Sequence, residues 1–463
     1  MRPFWLQQAL ASQSGSPCPP LQGDVRCNVC IVGGGYTGLW TALMLKQAQP
    51  TLDVLLIEAD ICGAGASGRN GGCALSWSAK YFTLERLFGV AEAVRLVSES
   101  ERSIAAIGAF CQAHGIDCDY RRDGTLYTAT NAAQVGSTDA VIAALERQGI
   151  SSFQRLPLPQ VQRRAGSRRH LEGWFSPAAA TVQPAKLVRG LRRVALQHGV
   201  RIHEGTAMTQ LQHGSVVAVH TPHGTVRADR VVLGLNAAMA RQFRAFERSV
   251  AIVSSDMVIT EPCAELLHQT GLDSGISVLD SRIFVHYYRT TVDGRLMLGK
   301  GGNTFAYGGR LSKVFDQPSP YRALLQRTLG EFFPSLAEVP LAASWNGPSD
   351  RSVSGLPFFG RLDGQANVFY GLGYSGSGVG PCHMGGQILS SLALGLDNAW
   401  TRSPLVRGPL GLFPPEPIRY LGSLLVREAI RRKERAEDRG QRPRRLDVRL
   451  AKFAAAAGKA DKG

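Results

Sequence analysis

Residues 28–32 are almost wholly apolar and residues 52–57 nearly so, while the stretch 36–47 between them carries its apolar positions at helical spacing. A short continuous apolar run suits a strand buried on both faces. The segment therefore reads as strand, helix, strand, the core of a βαβ unit with parallel strands. Past a glycine-dense stretch at 63–72, a long helix is expected from about 84 to 114, stopped by Gly115. A strand at 124–128 and a helix at 138–148 follow, the helix closed by Gly149, with Ser137 or Thr138 available as its N-cap. Pro184 opens a helix through 197, where Leu187, Leu191 and Val194 share an apolar face before Gly199 ends it.

The pattern then shortens. Strand-like segments fall at 200–203, 215–220, 224–226 and 230–233, with a hairpin turn at His223-Gly224. More follow at 251–259, 283–288 and 295–298, the last two joined by Asp293-Gly294. This middle region reads as an antiparallel sheet interrupted by excursions back to the first unit. A final buried strand at 367–370 leads through a second glycine-rich loop into a helix ending near Leu394. Beyond Trp400 prolines and then arginines dominate, marking an appended tail, part extended and part helical.

At 463 residues the chain is long enough for two sizeable domains, and 44% hydrophobic residues with 52 glycines suit a compact α/β fold with a buried cleft. Basic residues outnumber acidic ones by 52 to 36, a formal +16 that favours anionic ligands or surfaces through the long-range field. Nine cysteines form no disulfide-dense module. Cys27 and Cys30 make one CxxC, but Cys30 falls within the first strand, where packing accounts for it, and reduced cytoplasmic thiols are the expectation. The opening residues 1–21 are interrupted by Ser14, Gly15, Pro17 and Pro19, and no later run reaches the roughly 20 apolar residues that span a bilayer. Neither a secretory signal nor a transmembrane segment is expected. The histidines have no metal-ligand spacing and no GxSxG elbow occurs, so neither a metal site nor a serine nucleophile is expected.

Gly33, Gly35 and Gly38 form GxGxxG between the first strand and its helix. The first glycine permits the tight turn, the second lets backbone approach a pyrophosphate, and the third lets helix and strand pack closely. Helix N-terminal N–H groups then face the phosphates. Glu58, twenty residues past Gly38 at the end of the second strand, is placed to accept hydrogen bonds from an adenosine ribose and to repel a 2'-phosphate. The loop Gly63-Ala64-Gly65-Ala66-Ser67-Gly68-Arg69-Asn70-Gly71-Gly72 is dense enough in glycine to wrap the ribityl-pyrophosphate part of a long cofactor; a plain surface loop is the alternative. The late turn containing Gly376, Gly378 and Gly380 again opens a helix, whose N–H groups can stabilise negative charge on a reduced flavin. Two such turns far apart in the chain favour one extended cofactor, FAD, held from both ends.

Together IVGGGYTGLWTA, GAGASGRNGG and GYSGSGVGPCHMGG resemble the FAD-dependent oxidoreductases of the D-amino-acid oxidase superfamily, in the branch with glycine, sarcosine and gamma-glutamylputrescine oxidases. The resemblance covers roughly residues 27–394. It becomes more particular to the aminophosphonate oxidoreductases through WNGPSDRSVSGLPFFGRL, GLDNAWTRSPLVRG, FPPEPIRYLG and RRKERAEDRG. It implies an α/β fold, with a Rossmann-type FAD-binding domain of glutathione-reductase-like topology and a mixed or antiparallel-sheet substrate domain. The expected division is an N-terminal extension (1–26), a discontinuous FAD-binding domain (27–80, 180–245, 345–400), helical segments with the substrate domain (81–179, 246–344), and a basic tail (401–463). The resemblance assigns Gly33, Gly35, Gly38 and Glu58 to the adenylate end, Ser67, Arg69, Asn70 and Gly71 to the loop near flavin and pyrophosphate, and Gly376, Gly378 and Gly380 to the flavin-contacting turn. Glycine-oxidase-like members place a carboxylate-binding arginine where this chain has Ser349, with Arg351 the nearest arginine. Sarcosine-oxidase-like members carry a flavin-facing lysine where this chain has Met297, with Lys300 offset.

The implied chemistry is hydride transfer from the carbon beside an uncharged amine, then hydrolysis of the imine to a carbonyl product. The expected substrate is a small anionic amine, and O2 or another electron acceptor reoxidises the cofactor. Arg351 is the preferred ligand for the anionic head, with pairing to Asp350 as its structural alternative. Arg282, His286, Tyr288 and Arg289 lie on or beside a substrate-domain strand, where alternation puts His286 and Tyr288 on one face as candidates to meet substrate, with core or surface roles as the alternative for each. Arg69 offers charge near cofactor or substrate. Trp77, Tyr81, Trp345 and Tyr374 are candidate walls, Tyr374 in the best context, with packing as the alternative for each. A general amine or amino-acid oxidase or dehydrogenase is the neighbouring reading. The arginine-rich tail raises a third, an anionic-surface or nucleic-acid binder, which Glu434, Glu437 and Asp438 within the cluster disfavour.

Overall fold

The computed structural model describes residues 2–13, 17–457 and 460–461, so Ser14 and Gly15 of the opening segment and the last tail positions lie outside the described residues. The apolar runs become the centre of one sheet. Strand Val25–Val32 pairs in parallel with Val54–Ile57 on one side and Gly224–Leu233 on the other. Arg201–His203 extends the sheet past the former, and Val368–Leu372 followed by antiparallel Phe358–Arg361 extends it past the latter. Helices Tyr36–Ala48, Pro184–Gln197 and Pro381–Leu394 bury Leu39, Leu187 and Ile388 in one core with Val29, Ile31 and Leu56. This is the doubly connected α/β arrangement that the βαβ pattern implies.

The second sheet runs in the order Leu341–Ser352, Val250–Thr260, Leu296–Phe305, His286–Thr290, Ser277–Asp280, Thr125–Ala129, Glu172–Ser176, Gln154–Arg155. It is mixed, since Ser277–Asp280 pairs in parallel with Thr125–Ala129 while the other pairs are antiparallel. Helix Arg322–Phe332 covers one face, burying Leu325, Leu329 and Phe332 with Val258, Leu296 and Leu298. The opposite face turns toward the first sheet.

Several elements differ from expectation for local reasons. The long helix is two, Tyr81–Phe88 and Val90–Ala113, because Gly89 sits at φ 80° and breaks the hydrogen-bond ladder. Thr138 precedes helix Asp139–Arg147 without a capping bond, and the Ser137 hydroxyl has no partner among the described residues. Segments 224–226 and 230–233 are one strand, Gly224–Leu233, held by partners on both edges. The strand expected at 283–288 begins only at His286. The stretch around Trp345 belongs to the second sheet through strand Leu341–Ser352. The opening residues include a packed helix, Phe4–Ala11, that buries Trp5, and Gln183 Nε2 donates to the Trp5 carbonyl.

Candidate active site

A cavity of about 360 Å³ is lined by both sheets and both glycine-rich turns, reaching from Glu58 and Met208 to Tyr287, Arg351 and Gly376. At its first turn the three glycines do different work. Gly33 stands at φ 115°, and a Cβ there would lie 2.6 Å from the Gly234 carbonyl oxygen; one on Gly38 would lie 2.0 Å from the Gly33 oxygen. Those positions serve the turn and the helix–strand contact. Gly35 has an ordinary extended backbone, and a Cβ there would meet only the Ser67 hydroxyl, at 3.0 Å. Its missing side chain opens room in the cavity wall, where the helix Tyr36–Ala48 begins.

The half-buried Glu58 accepts from the Gly34 amide at 2.7 Å and from the Asp60 amide at 3.1 Å. Burial raises its pKa, and those two amides oppose the rise. In the following loop Ser67 Oγ accepts from the Tyr36 amide at 2.9 Å. Asn70 ties the loop to itself, donating to the Ala66 and Ser67 carbonyls and accepting from the Gly72 amide at 2.8 Å. Arg289 donates to the Gly71 carbonyl at 2.7 Å and to Val182 at 2.7 Å, pinning the loop to the second sheet. Arg69 lines the cavity, and its guanidinium donates to the Ala64 and Phe315 carbonyls and pairs with Asp316 at 2.8 Å.

At the late turn, Gly376 and Gly378 line the cavity at the start of helix Pro381–Leu394. Gly380 instead abuts Ile104, where a Cβ would lie 3.2 Å from its side chain. Tyr374 lines the wall, its hydroxyl accepts from Thr37 at 2.9 Å and its pKa is pushed well up by burial. Trp77, Tyr81 and Trp345 pack in the core, off the cavity wall.

The register of strand His286–Thr290 overturns another expectation. Tyr287 lines the cavity; His286 and Tyr288 face the opposite side, as alternation then requires. His286 Nδ1 lies 2.9 Å from Asp280, burial and the nearby Lys300 bring its pKa down to about 4, and Tyr288 donates to the Ala165 carbonyl at 2.7 Å. Arg282 shares that far side, bonded to Asp280 and Asp438. Tyr287, missed from the sequence, sits against Gly71 and Gly299, where added Cβ atoms would lie 2.5 Å and 2.2 Å from its ring, and its hydroxyl is 2.9 Å from Ser255 Oγ. The signal was the alternating pair Gly299 and Gly301: strand glycines mark a close approach. On the same strand Met297 reaches toward Gly71, while Lys300 points behind the sheet and donates to the Phe284 carbonyl at 2.9 Å.

Strand Leu341–Ser352 brings Ser349, Asp350 and Arg351 to the cavity, and Arg351 makes an isolated β-bridge to Tyr374 that joins the sheets. Asp350 accepts from the Gly373 amide at 2.5 Å, with burial raising its pKa to about 6. Burial lowers the Arg351 pKa, opposed by Asp350. A Cβ on Gly376 would lie 3.1 Å from Arg351 Nη2 and 3.2 Å from Ser349 Oγ, so both side chains converge beside that glycine. Ser349 is 8% exposed and its hydroxyl has no hydrogen-bond partner among the described residues.

A parallel-centred sheet with a glycine turn and acidic strand end, joined by a second sheet across one long cavity, defines a dinucleotide-binding oxidoreductase. Residues 28–392 match the family described as DAO, FAD dependent oxidoreductase. The chain belongs to this family, and its cofactor is FAD. It is 32% identical over 390 residues to the gamma-glutamylputrescine oxidoreductase of Escherichia coli (strain K12), covering 84% of this chain and 88% of that one. It is 30% identical to the oxidoreductase OrdL of Rhizobium meliloti (strain 1021), covering 84% and 88%. In fold it is similar to glycine oxidase from Geobacillus kaustophilus, with a TM-score of 0.69 at 20% identity over 82% of this chain and 98% of that one. The cavity fits FAD: Gly35 leaves the space a pyrophosphate needs, Glu58 closes the strand beside it, and helix N-termini stand at both turns.

Proposed function

We propose that this enzyme oxidises the C–N bond of a small amine bearing an anionic head, an aminophosphonate, to an imine that hydrolyses to a carbonyl compound. The observation that carries the reading is the convergence of Arg351 with the unpartnered Ser349 hydroxyl beside Gly376. A guanidinium fork presents paired donors and a serine hydroxyl adds another, a set suited to the three oxygens of a tetrahedral phosphonate. Gly33, Gly35, Glu58, Ser67, Asn70 and Gly376 are the proposed FAD contacts. Bound FAD supplies the two-electron oxidant that accepts hydride from the carbon beside the amine.

The chain's own part is placement. Arg351 and Ser349 anchor the head, Tyr287 forms a wall whose hydroxyl is held by Ser255, and Met257 and Val285 keep the surrounding surface apolar. The net charge of +16 raises the encounter rate with anions, and geometry does the rest. Met297 rather than a lysine faces Gly71, which supports an acceptor other than O2. A cytoplasmic setting belongs to the same proposal. No helix among the described residues is long and apolar enough to cross a membrane.

The test is anaerobic stopped-flow bleaching of the oxidised flavin band with 2-aminoethylphosphonate, the matched amino acid and a matched uncharged amine, with the carbonyl product identified. The phosphonate is expected to be fastest. Faster reduction by the carboxylate or the uncharged amine moves the enzyme to general amine oxidation, and no reduction by any of them removes the reaction class.

A further inference from the structure

The tail beyond Trp400 folds as helix Ile418–Asp438 packed on the second sheet and a short helix, Arg445–Ala451, packed on that. The acidic residues that interrupt its arginine run are all turned inward or paired. Asp438 accepts from Arg282 at 2.7 Å and from Asn131 at 2.8 Å, Asp447 is buried against Arg432 at 2.7 Å, Glu437 holds Lys433 at 2.6 Å, and Glu434 is buried. Arg439, Arg442, Arg444, Arg445, Arg449 and Lys452 are exposed, so what solvent meets there is a cationic surface.

That surface also carries the two most exposed large apolar side chains among the described residues, Phe453 at 82% and Leu446 at 65%. At helical spacing Arg445, Leu446, Arg449, Lys452 and Phe453 fall within an arc of about 120°, opposite Asp447 and Ala451, which face the protein. The short helix is therefore amphipathic in the outward sense: it spends its acid on the protein and shows apolar and cationic groups to the outside. Helix Ile418–Asp438 has an exposed apolar stripe of its own, Ile418, Leu421 and Leu425 at i, i+3 and i+7.

We propose that this tail surface docks on the face of a bilayer containing anionic phospholipids, with Leu446 and Phe453 entering the headgroup region inside a ring of arginines. Charge complementarity selects an anionic partner. Phe453 suits a base or an acyl chain alike, and Leu446 beside it, with neither a π-face nor a polar group, favours lipid over nucleic acid. The enzyme then works at a membrane surface without crossing it.

The experiment is co-sedimentation of the intact FAD-loaded enzyme with vesicles of phosphatidylcholine alone or with phosphatidylglycerol, across a salt series, beside binding of a labelled single-stranded RNA. Binding is expected only to the anionic vesicles and to weaken with salt. The pair Leu446→Ser, Phe453→Ser should weaken it about a hundredfold, roughly tenfold for each apolar side chain withdrawn from the interface. Arg445→Gln with Arg449→Gln should weaken it about twenty-fivefold, roughly fivefold for each charge. Both variants lie far from the cavity and should keep the flavin spectrum and turnover of the parent. No binding to anionic vesicles at low salt overturns the proposal. So does undiminished vesicle binding by the serine pair, which reduces the patch to non-specific charge, and so does RNA binding that displaces the vesicles and ignores the serine pair.

Discussion

Gly35 and Gly38 lie three residues apart in one turn, yet substituting alanine at each should damage different properties. At Gly35 the backbone is in an extended conformation open to any residue, and the new methyl meets only the rotatable Ser67 hydroxyl at 3.0 Å. That hydroxyl accepts from the Tyr36 amide and alanine caps a helix less well than glycine, so the protein without FAD should lose no more than about 1 kcal/mol, offset in part by the loss of unfolded-state freedom. The methyl projects into the space proposed for the pyrophosphate, where it separates backbone donors from a charged acceptor. Losing one charge-assisted hydrogen bond of about 1.5–3 kcal/mol weakens FAD binding by roughly 10- to 150-fold. Gly38→Ala instead drives a Cβ to 2.0 Å from the Gly33 oxygen and 3.1 Å from Ile31, a backbone overlap that only separation of helix and strand relieves. It should destabilise the fold itself by about 1–3 kcal/mol or more. FAD titration of deflavinated protein by fluorescence quenching, with urea unfolding of the same samples, reads both quantities. Wild-type FAD affinity in Gly35→Ala would refute the placement of the pyrophosphate, and wild-type stability in Gly38→Ala would refute the packing role.

Arg351→Lys keeps the charge and loses the fork, so kcat/KM toward an anionic amine should fall roughly 10- to 100-fold while an uncharged amine is little affected; equal losses on both substrates would assign Arg351 to structure. Stability should fall steeply in acid. His170, His286 and His383 are each brought down to about 4 chiefly by burial, so the unfolded chain binds more protons between pH 6.5 and 4, and their contribution, present above 6.5, is lost as pH falls toward 4, by at most roughly 3 kcal/mol each. Asp350, raised to about 6, works the other way between its ordinary value and 6, and offsets part of one histidine. Urea unfolding at pH 7 and pH 5 should show a drop of several kcal/mol; a flat profile would contradict neutral buried imidazoles.

The local chemistry of the chain determined the first sheet's core, the GxGxxG turn, Glu58 at the strand end and the late turn before helix Pro381–Leu394. Each of these carries a local signature: φ 115° at Gly33, the close packing of Gly38 on the Gly33 carbonyl, an apolar run without polar alternation. Spacing along the chain encodes such needs directly. What faces the cavity from the second sheet was decided by tertiary structure. A strand's two faces exchange with a one-residue shift, and the register of His286–Thr290 is set by pairing with Leu296–Phe305 and Ser277–Asp280, where the Tyr287 ring fits over Gly299. That pairing puts Tyr287 in the cavity and His286 with Tyr288 behind it. The partners of the arginines were largely non-local too: Asp316 holds the Arg69 guanidinium, Asp438 with the neighbouring Asp280 holds Arg282 on the far side, and the β-bridge to Tyr374 sets the Arg351 backbone against the late glycine turn. A charged side chain goes where the folded chain supplies its partners, and apart from Asp280, two residues from Arg282, those partners stand tens to hundreds of residues away in the sequence.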